Sequence, residues 1–160
     1  MTPFILLQLW LNFVLISPQN VSFSKYQDTE YEVSCAGTAK DGTQFIKVFS
    51  YHKKPKKAIE ACKKNAVHAL IFKGVQQGSG CARNPLVSAN IDLSKHDAYF
   101  TALFEEGYKQ YILTSTDQNP EMWRMENKKY KLGISVQVNY TALRQRLEAD
   151  NIIKKLDHGF

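Results

Sequence analysis

The chain is poor in the residues that most small domains use for chemistry. It has 3 cysteines and 4 histidines in 160 residues, and no Cys-x-x-Cys or His-x-x-x-His spacing. Tetrahedral metal sites draw on closely spaced ligands of these types, so neither a metal nor another cofactor is expected. Glycines number 8 and prolines 5. Gly74, Gly78 and Gly80 lack the spacing and the following Lys-Ser/Thr of a phosphate-cradling loop. Three cysteines are too few for a disulfide scaffold. No charged side chain precedes Lys25, and no internal repeat or low-complexity tract interrupts the rest of the chain.

The remaining composition is ordinary for one globular domain: 44% hydrophobic and 22% charged residues. The apolar run Phe4 to Ile16, followed by Pro18 and by small residues at Ser22 and Ser24, has the layout of a secretory signal with cleavage near Lys25. Residues 1–24 are therefore read as a signal and 25–160 as a single α+β domain. An uncleaved membrane anchor and a buried first helix are the alternatives. The run is short of the about 20 apolar residues that a span needs, so no stable membrane span is expected once the signal is removed. No cysteine sits where a lipid would be attached. The expected address is an exported one: periplasmic, outer-membrane-associated or secreted.

Hydrophobic periodicity predicts an antiparallel sheet of about four strands, with an Ala-rich helix and further helices packed on one face. Alternation marks a strand from Thr29 to Ala39, and a second runs from Gln44 to His52. Asp41-Gly42 between them predicts a two-residue type I′ hairpin. Pro55 suits a helix first turn. Ala58, Ala61, Cys62, Ala66 and Ala69 then form a stripe of small residues on a helix stopped by Gly74. Gln76 to Leu93 reads as a long loop. Ser94 and Asp97 are expected to cap a second helix whose buried face holds Tyr99, Leu103 and Phe104 in preference to Phe100. Tyr108 to Thr114 reads as a third strand, and Asp117 to Asn127 as a connection. Leu132, Ile134, Val136 and Val138 mark the clearest strand. Asn139 caps a last helix that Asn151 stops.

The helix pattern Ala58-x-x-x-Cys62-x-x-Asn65-Ala66, with Tyr130-x-Leu132-x-Ile134-x-Val136 leading into Leu143-x-x-x-Leu147-Glu148, resembles small bacterial envelope domains. These are the N-terminal domain of flagellar assembly protein T and the related small surface lipoproteins. The resemblance covers residues 30 to 150. It implies an Ala-rich helix on an antiparallel sheet, an envelope address and a structural or binding role without a known reaction. No site residue is carried over from it.

The residues themselves offer few constellations. Cys62 and His68 lie on opposite sides of one helix and cannot act as nucleophile and base there. Cys81 with His96 would be the nucleophile and base of a small secreted hydrolase. Glu105-Glu106 at a helix end reads as solvated surface. Cys35 in the first strand and Cys62 on the helix above it are either a facing disulfide pair or two buried core thiols. Trp123, Tyr108, Tyr111 and Tyr130 either line a groove or pack the core. The net charge of +6 gathers in part around the central helix, at Lys53, Lys54, Lys56 and Lys57 and further on at Lys63, Lys64 and Lys73. With Arg83 in the long loop, the first four form the candidate binding patch, for an anionic surface or polysaccharide. The exported address argues against nucleic acid. An open sheet edge is a further route to a partner. The expectation is a non-catalytic assembly or interaction module with an envelope protein as its partner.

Overall fold

The computed structural model describes residues 22–156. The expected signal lies outside them except for its last three residues, as does His158. Residues Phe23–Tyr26 form a short 3₁₀ turn, and the Phe23 ring stacks on Phe72 at 4.9 Å between centroids.

Strand β1 (Tyr31–Thr38) pairs antiparallel with β2 (Gln44–His52). The connection is not the two-residue type I′ turn predicted from Asp41-Gly42. Gly42 N–H donates to the Ala39 carbonyl and Ala39 N–H to that of Thr43. Only Gly42, at φ 79°, takes positive φ in this turn. The loop is therefore the three residues Lys40-Asp41-Gly42, a type I turn closed by a left-handed residue. Asp41 Oδ1 fixes it by accepting from the Thr43 N–H and Oγ1.

Helix α1 (Pro55–His68) starts with Pro55 in its first turn. Ala58, Ala61, Cys62, Ala66 and Ala69 are all fully buried, and their small side chains let the axis lie close to the strands beneath. Asn65, buried on the same face, is satisfied on both sides: its amide donates to Ser50 Oγ, and its carbonyl accepts from Asp28 N–H. The helix passes into a π-wound turn, Ala69–Lys73. There the Leu70 and Ile71 carbonyls accept from the N–H groups of Leu86 and Val87. The wider winding thus lends two carbonyls to the following loop, which takes its main-chain bonds from them. Gly74, at φ 73°, ends the helix as predicted.

Helix α2 (Leu93–Glu105) is capped by Asp92, not Ser94: the Asp92 carboxylate accepts from Ser94 N–H. Asp97 is engaged elsewhere, with Lys25 and the Tyr26 hydroxyl. Phe100 is fully buried against Phe72 and Tyr26, while Tyr99 is only half-buried, the reverse of the expected choice.

The expected third strand begins later. Gly107–Tyr111 is a 3₁₀ turn, and β3 is only Ile112–Ser115. Tyr108 and Tyr111 are both buried. A spacing of three puts both rings on one side of a 3₁₀ turn, whereas a strand would point them apart. Strand β4 (Glu121–Arg124) lies where a connection was expected. All four of its residues are exposed, so no alternation marked it. Strand β5 (Tyr130–Val138) leads to helix α3 (Tyr140–Ala149), capped by Asn139 and stopped by Asn151 at φ 55° as predicted.

The result is an α+β fold with a five-stranded antiparallel sheet in the order β1-β2-β5-β3, with β4 also pairing β5. Register places β3 beside Val136–Val138 and β4 beside Tyr130–Gly133. The two short strands therefore form one broken edge. Ile46, Val48, Leu132, Ile134, Val136 and Val138 face α1 and are essentially inaccessible.

The disulfide expectation is corrected. Cys35 is bonded to Cys81 of the long loop, and Cys62 is a free, buried thiol. Helix α1 lies over β2 and β5, so Cys62 reaches the carbonyls of Val48 and Leu132 and not β1. Cys35 is at the outer side of β1, where its N–H donates to the Gln77 carbonyl. The loop thus covers the Cys35 end of that sheet edge with its own backbone.

Candidate interaction surface

The sheet face opposite α1 bears alternate residues of every long strand, and most of them satisfy one another. Phe49 is registered between Glu32 and Gly133. A Cβ at Gly133 would fall 2.2 Å from the Phe49 ring, so the glycine is what lets the ring lie flat over β5. The ammonium groups of Lys131 and Lys47 stand 5.0 Å and 5.3 Å from the centre of that ring. Lys131 reaches over β2 to Glu32 at 2.9 Å, and Lys47 reaches over β5 to Glu121. The Tyr51 hydroxyl also donates to Glu32. The bonds from Tyr51 and Lys131 hold the Glu32 carboxyl below its usual range. This face is stitched across its strands, and its charges are already paired.

The broken edge is different. Large exposed apolar side chains among the described residues are Leu113, Met122, Trp123, Met125 and Leu156, and all but Leu156 lie on β3, on β4 or just beyond it. In the β4–β5 hairpin, Met125 N–H donates to the Lys129 carbonyl. Counting back along an antiparallel ladder, Trp123 and Glu121 share bonds with β5, while the N–H and C=O groups of Met122 and Arg124 point away from it. Met122 flanks this row on the helix side of the sheet, and Trp123, tilted against Phe49 at 5.8 Å, flanks it on the other.

The hairpin tip repeats the geometry of the first hairpin. Lys128 N–H donates to the Met125 carbonyl, and Asn127 Oδ1 accepts from Lys129 N–H, as Asp41 does for Thr43. The left-handed position, glycine in the first hairpin, is here Lys128 at φ 61°. A side chain there costs backbone energy that a glycine would not.

Register also gathers charge that is scattered in the sequence. His52 pairs with Tyr130, which pairs with Arg124, placing Arg124 about 10 Å from the end of β2. Lys53, Lys54, Lys56 and Lys57, which come after His52, therefore share one end of the sheet with Arg124, Lys128 and Lys129. All seven are exposed, and none has an ion-pair partner among the described residues. Arg83 does not join them. It lies against Gly74 at the other end of the helix, roughly 25–30 Å away along the helix axis. The contribution of Arg124, Lys128 and Lys129 was missed because they belong to a segment read as a connection. The lysine pair beside Asn127 was the available signal.

The other candidate groups separate. Cys81, bonded to Cys35, has no thiolate to offer, and His96 belongs to α2. Burial raises the pKa of the Cys62 thiol. Glu106 pairs with Lys109 at the surface. Tyr108 and Tyr111 are core residues, whereas Trp123 is exposed. His68 is buried; its Nε2–H donates to the Phe23 carbonyl, and its Nδ1 accepts from the Tyr31 hydroxyl, both at 2.8 Å. Burial, aided by Lys73 and Lys64, pushes its pKa down to about 4. Among the described residues no three His, Cys, Asp or Glu side chains are placed to hold a metal ion. An open cleft of about 540 Å³ is lined by Leu86, Ile91, Ile152 and Ile153 with Arg144 and Lys154, among others, and its lining holds no histidine, cysteine or carboxylate.

Among the described residues, fold and surface together define an antiparallel α+β domain with a helix-covered face, a stitched face and an uncovered edge at β4. The chain matches no protein-family model, no curated protein and no solved structure at a significant level.

Proposed function

We propose that the chain is a non-catalytic assembly or interaction module, exported from a bacterial cell to act in the envelope or beyond it. The observation that carries this reading is the collection of exposed Leu113, Met122, Trp123 and Met125 on a sheet edge left uncovered by the described residues, since apolar side chains grouped on an unpaired edge suit a protein partner. The Cys35–Cys81 bridge supports the exported address, because such bonds persist in oxidising compartments. The resemblance to small envelope domains points the same way.

The test is to fractionate cells carrying the tagged chain at its native level, trap free thiols, and identify what purifies with it. We expect the chain in the envelope or outside the cell, Cys35 and Cys81 protected from alkylation until reduced, and one stoichiometric envelope protein in the eluate. A cytoplasmic chain with both cysteines alkylated would sink the reading. A measurable hydrolytic activity lost in His96→Ala would favour the secreted-hydrolase alternative.

A second reading has its own observation. Seven exposed cations at one end of the sheet, without ion-pair partners among the described residues, suit an anionic surface or acidic polysaccharide. Its retention on heparin or anionic vesicles would fall steeply with salt, since exposed charges are screened within about 10 Å at moderate ionic strength.

A further inference from the structure

We infer that the broken edge at β4 receives an extended acidic segment of another polypeptide, which adds to the sheet as a further strand. The inference rests on the interaction-module reading and names the surface and the chemistry of the partner.

Three features of the same short stretch carry it. First, the main-chain N–H and C=O groups of Met122 and Arg124 point outward from an edge that carries no further strand among the described residues. Such groups are what an added strand pairs with. Second, Met122 and Trp123, about half exposed at 50% and 49%, lie on opposite faces of the edge. A strand laid beside β4 would be flanked by an apolar side chain above and below, with its own alternate residues against each. The opposite edge, at β1, differs: the Gln77 carbonyl and the disulfide-held loop occupy it at Cys35, and among the described residues no large exposed apolar side chain flanks it.

Third, the unpaired charge around this edge is predominantly basic. Arg124 is on β4 itself, Lys128 and Lys129 form the tip, and the lysines entering α1 stand at the same end of the sheet; of the two acidic residues on the hairpin, Glu121 is taken by Lys47, which leaves Glu126 against these cations. Charge complementarity selects an acidic partner. The same charge argues against a second copy of this chain, whose identical basic edge would be repelled. Lys128 adds a separate indication: it occupies a left-handed position that glycine fills in the equivalent turn. A backbone cost retained for a cation at the tip fits a surface kept for binding. The free backbone row and its two-sided flanks favour a polypeptide over a lipid surface, which has no strand to pair.

The test uses the purified, oxidised full-length chain and a blocked, fluorescein-labelled peptide of about ten residues, near the upper length of a natural strand, alternating Glu with Val and Thr. Companion peptides replace Glu by Lys, or interrupt the acidic sequence with proline. Anisotropy should report saturable binding of the acidic peptide, loss of binding for the Lys peptide, and at least about tenfold weakening by proline. In the Arg124→Glu, Lys128→Glu, Lys129→Glu triple variant, with thermal unfolding verifying the fold, the preference should pass to the Lys peptide. Trp123→Ala should weaken binding without changing the sign preference.

Equal binding of the acidic and Lys peptides, or no binding of either, overturns the inference. So does undiminished binding of the proline-interrupted peptide, which would mean charge attraction without strand pairing. Displacement of the peptide by phosphatidylglycerol vesicles from the wild type but not from the triple variant would assign the surface to lipid and likewise overturn it. Failure here alongside recovery of a stoichiometric envelope partner would leave the interaction-module reading standing, while peptide binding by a chain found reduced in the cytoplasm would do the opposite.

Discussion

His68 is held neutral by its surroundings. The Nε2–H bond to Phe23 and the Nδ1 bond from Tyr31 use both ring nitrogens in one tautomer, and Phe72 and Phe104 pack against the ring. A second proton on Nδ1 would replace an acceptor by a donor facing a hydroxyl, with Lys73 and Lys64 adding repulsion. The folded-state pKa of about 4 lies below the ordinary 6.5, so the unfolded chain binds more protons between these values. Stability is complete above pH 6.5 and declines as pH falls to about 4, by about 3 kcal/mol for this group alone. Chemical denaturation at pH 7 and pH 4 measures the decline, and His68→Gln should flatten that part of the pH profile. At the same scale, Lys128→Gly should stabilise the chain by roughly 0.5–1 kcal/mol through relief of the left-handed backbone, while weakening acidic-peptide binding. A urea midpoint and the anisotropy titration would separate the two effects.

The end of α1 depends on a main-chain exchange between elements. Gly74 N–H donates to Ala69 at 2.7 Å, and Leu86 and Val87 bond to Leu70 and Ile71. A Cβ on Gly74 would stand 1.9 Å from the Arg83 carbonyl oxygen at a backbone φ of 73°. Gly74→Ala should therefore cost about 2 kcal/mol or more, through both clash and strain. Unfolding midpoints measure it. Gly133→Ala should act differently, by pushing the Phe49 ring off β5 and breaking the arrangement of Lys47 and Lys131 around it. The elements also show where periodicity succeeds. Both α1 and β5 were legible because each buries one continuous face, at helical spacing and at spacing two respectively. Strand β4 was invisible because neither of its faces is buried, and Tyr108 and Tyr111 misled because a 3₁₀ turn and a strand both accept aromatic residues.

For the whole molecule, the Cys35–Cys81 bridge closes a loop across 46 positions of sequence. It contains β2, α1 and the π-wound turn. On the loop-entropy account a closure of that length is worth about 4 kcal/mol. Reduction, or the Cys35→Ala, Cys81→Ala pair, should lower stability by up to that amount and loosen the loop from the β1 edge. Hydrogen exchange at the Cys35 and Val75 amides, which donate to Gln77 and Ala82, would register the loosening. Cys62 should remain unreactive toward alkylating reagents until global unfolding, because its sulfur lies between α1 and the sheet.

The sequence by itself determined the α+β class, the small-residue face of α1, the glycine and asparagine helix stops, and the alternating strand that anchors the sheet. All of these arise from local patterns that one residue's neighbours can express. Tertiary structure decided the partner of Cys35, the neutral state of His68, the broken edge at β4 and the joining of the α1 lysines with Arg124, Lys128 and Lys129. Those depend on which strand lies beside which. Pairing β2 and β4 to either side of β5 brings Lys53 and Arg124, 71 positions apart in the chain, to one end of the sheet. No local spacing encodes that distance.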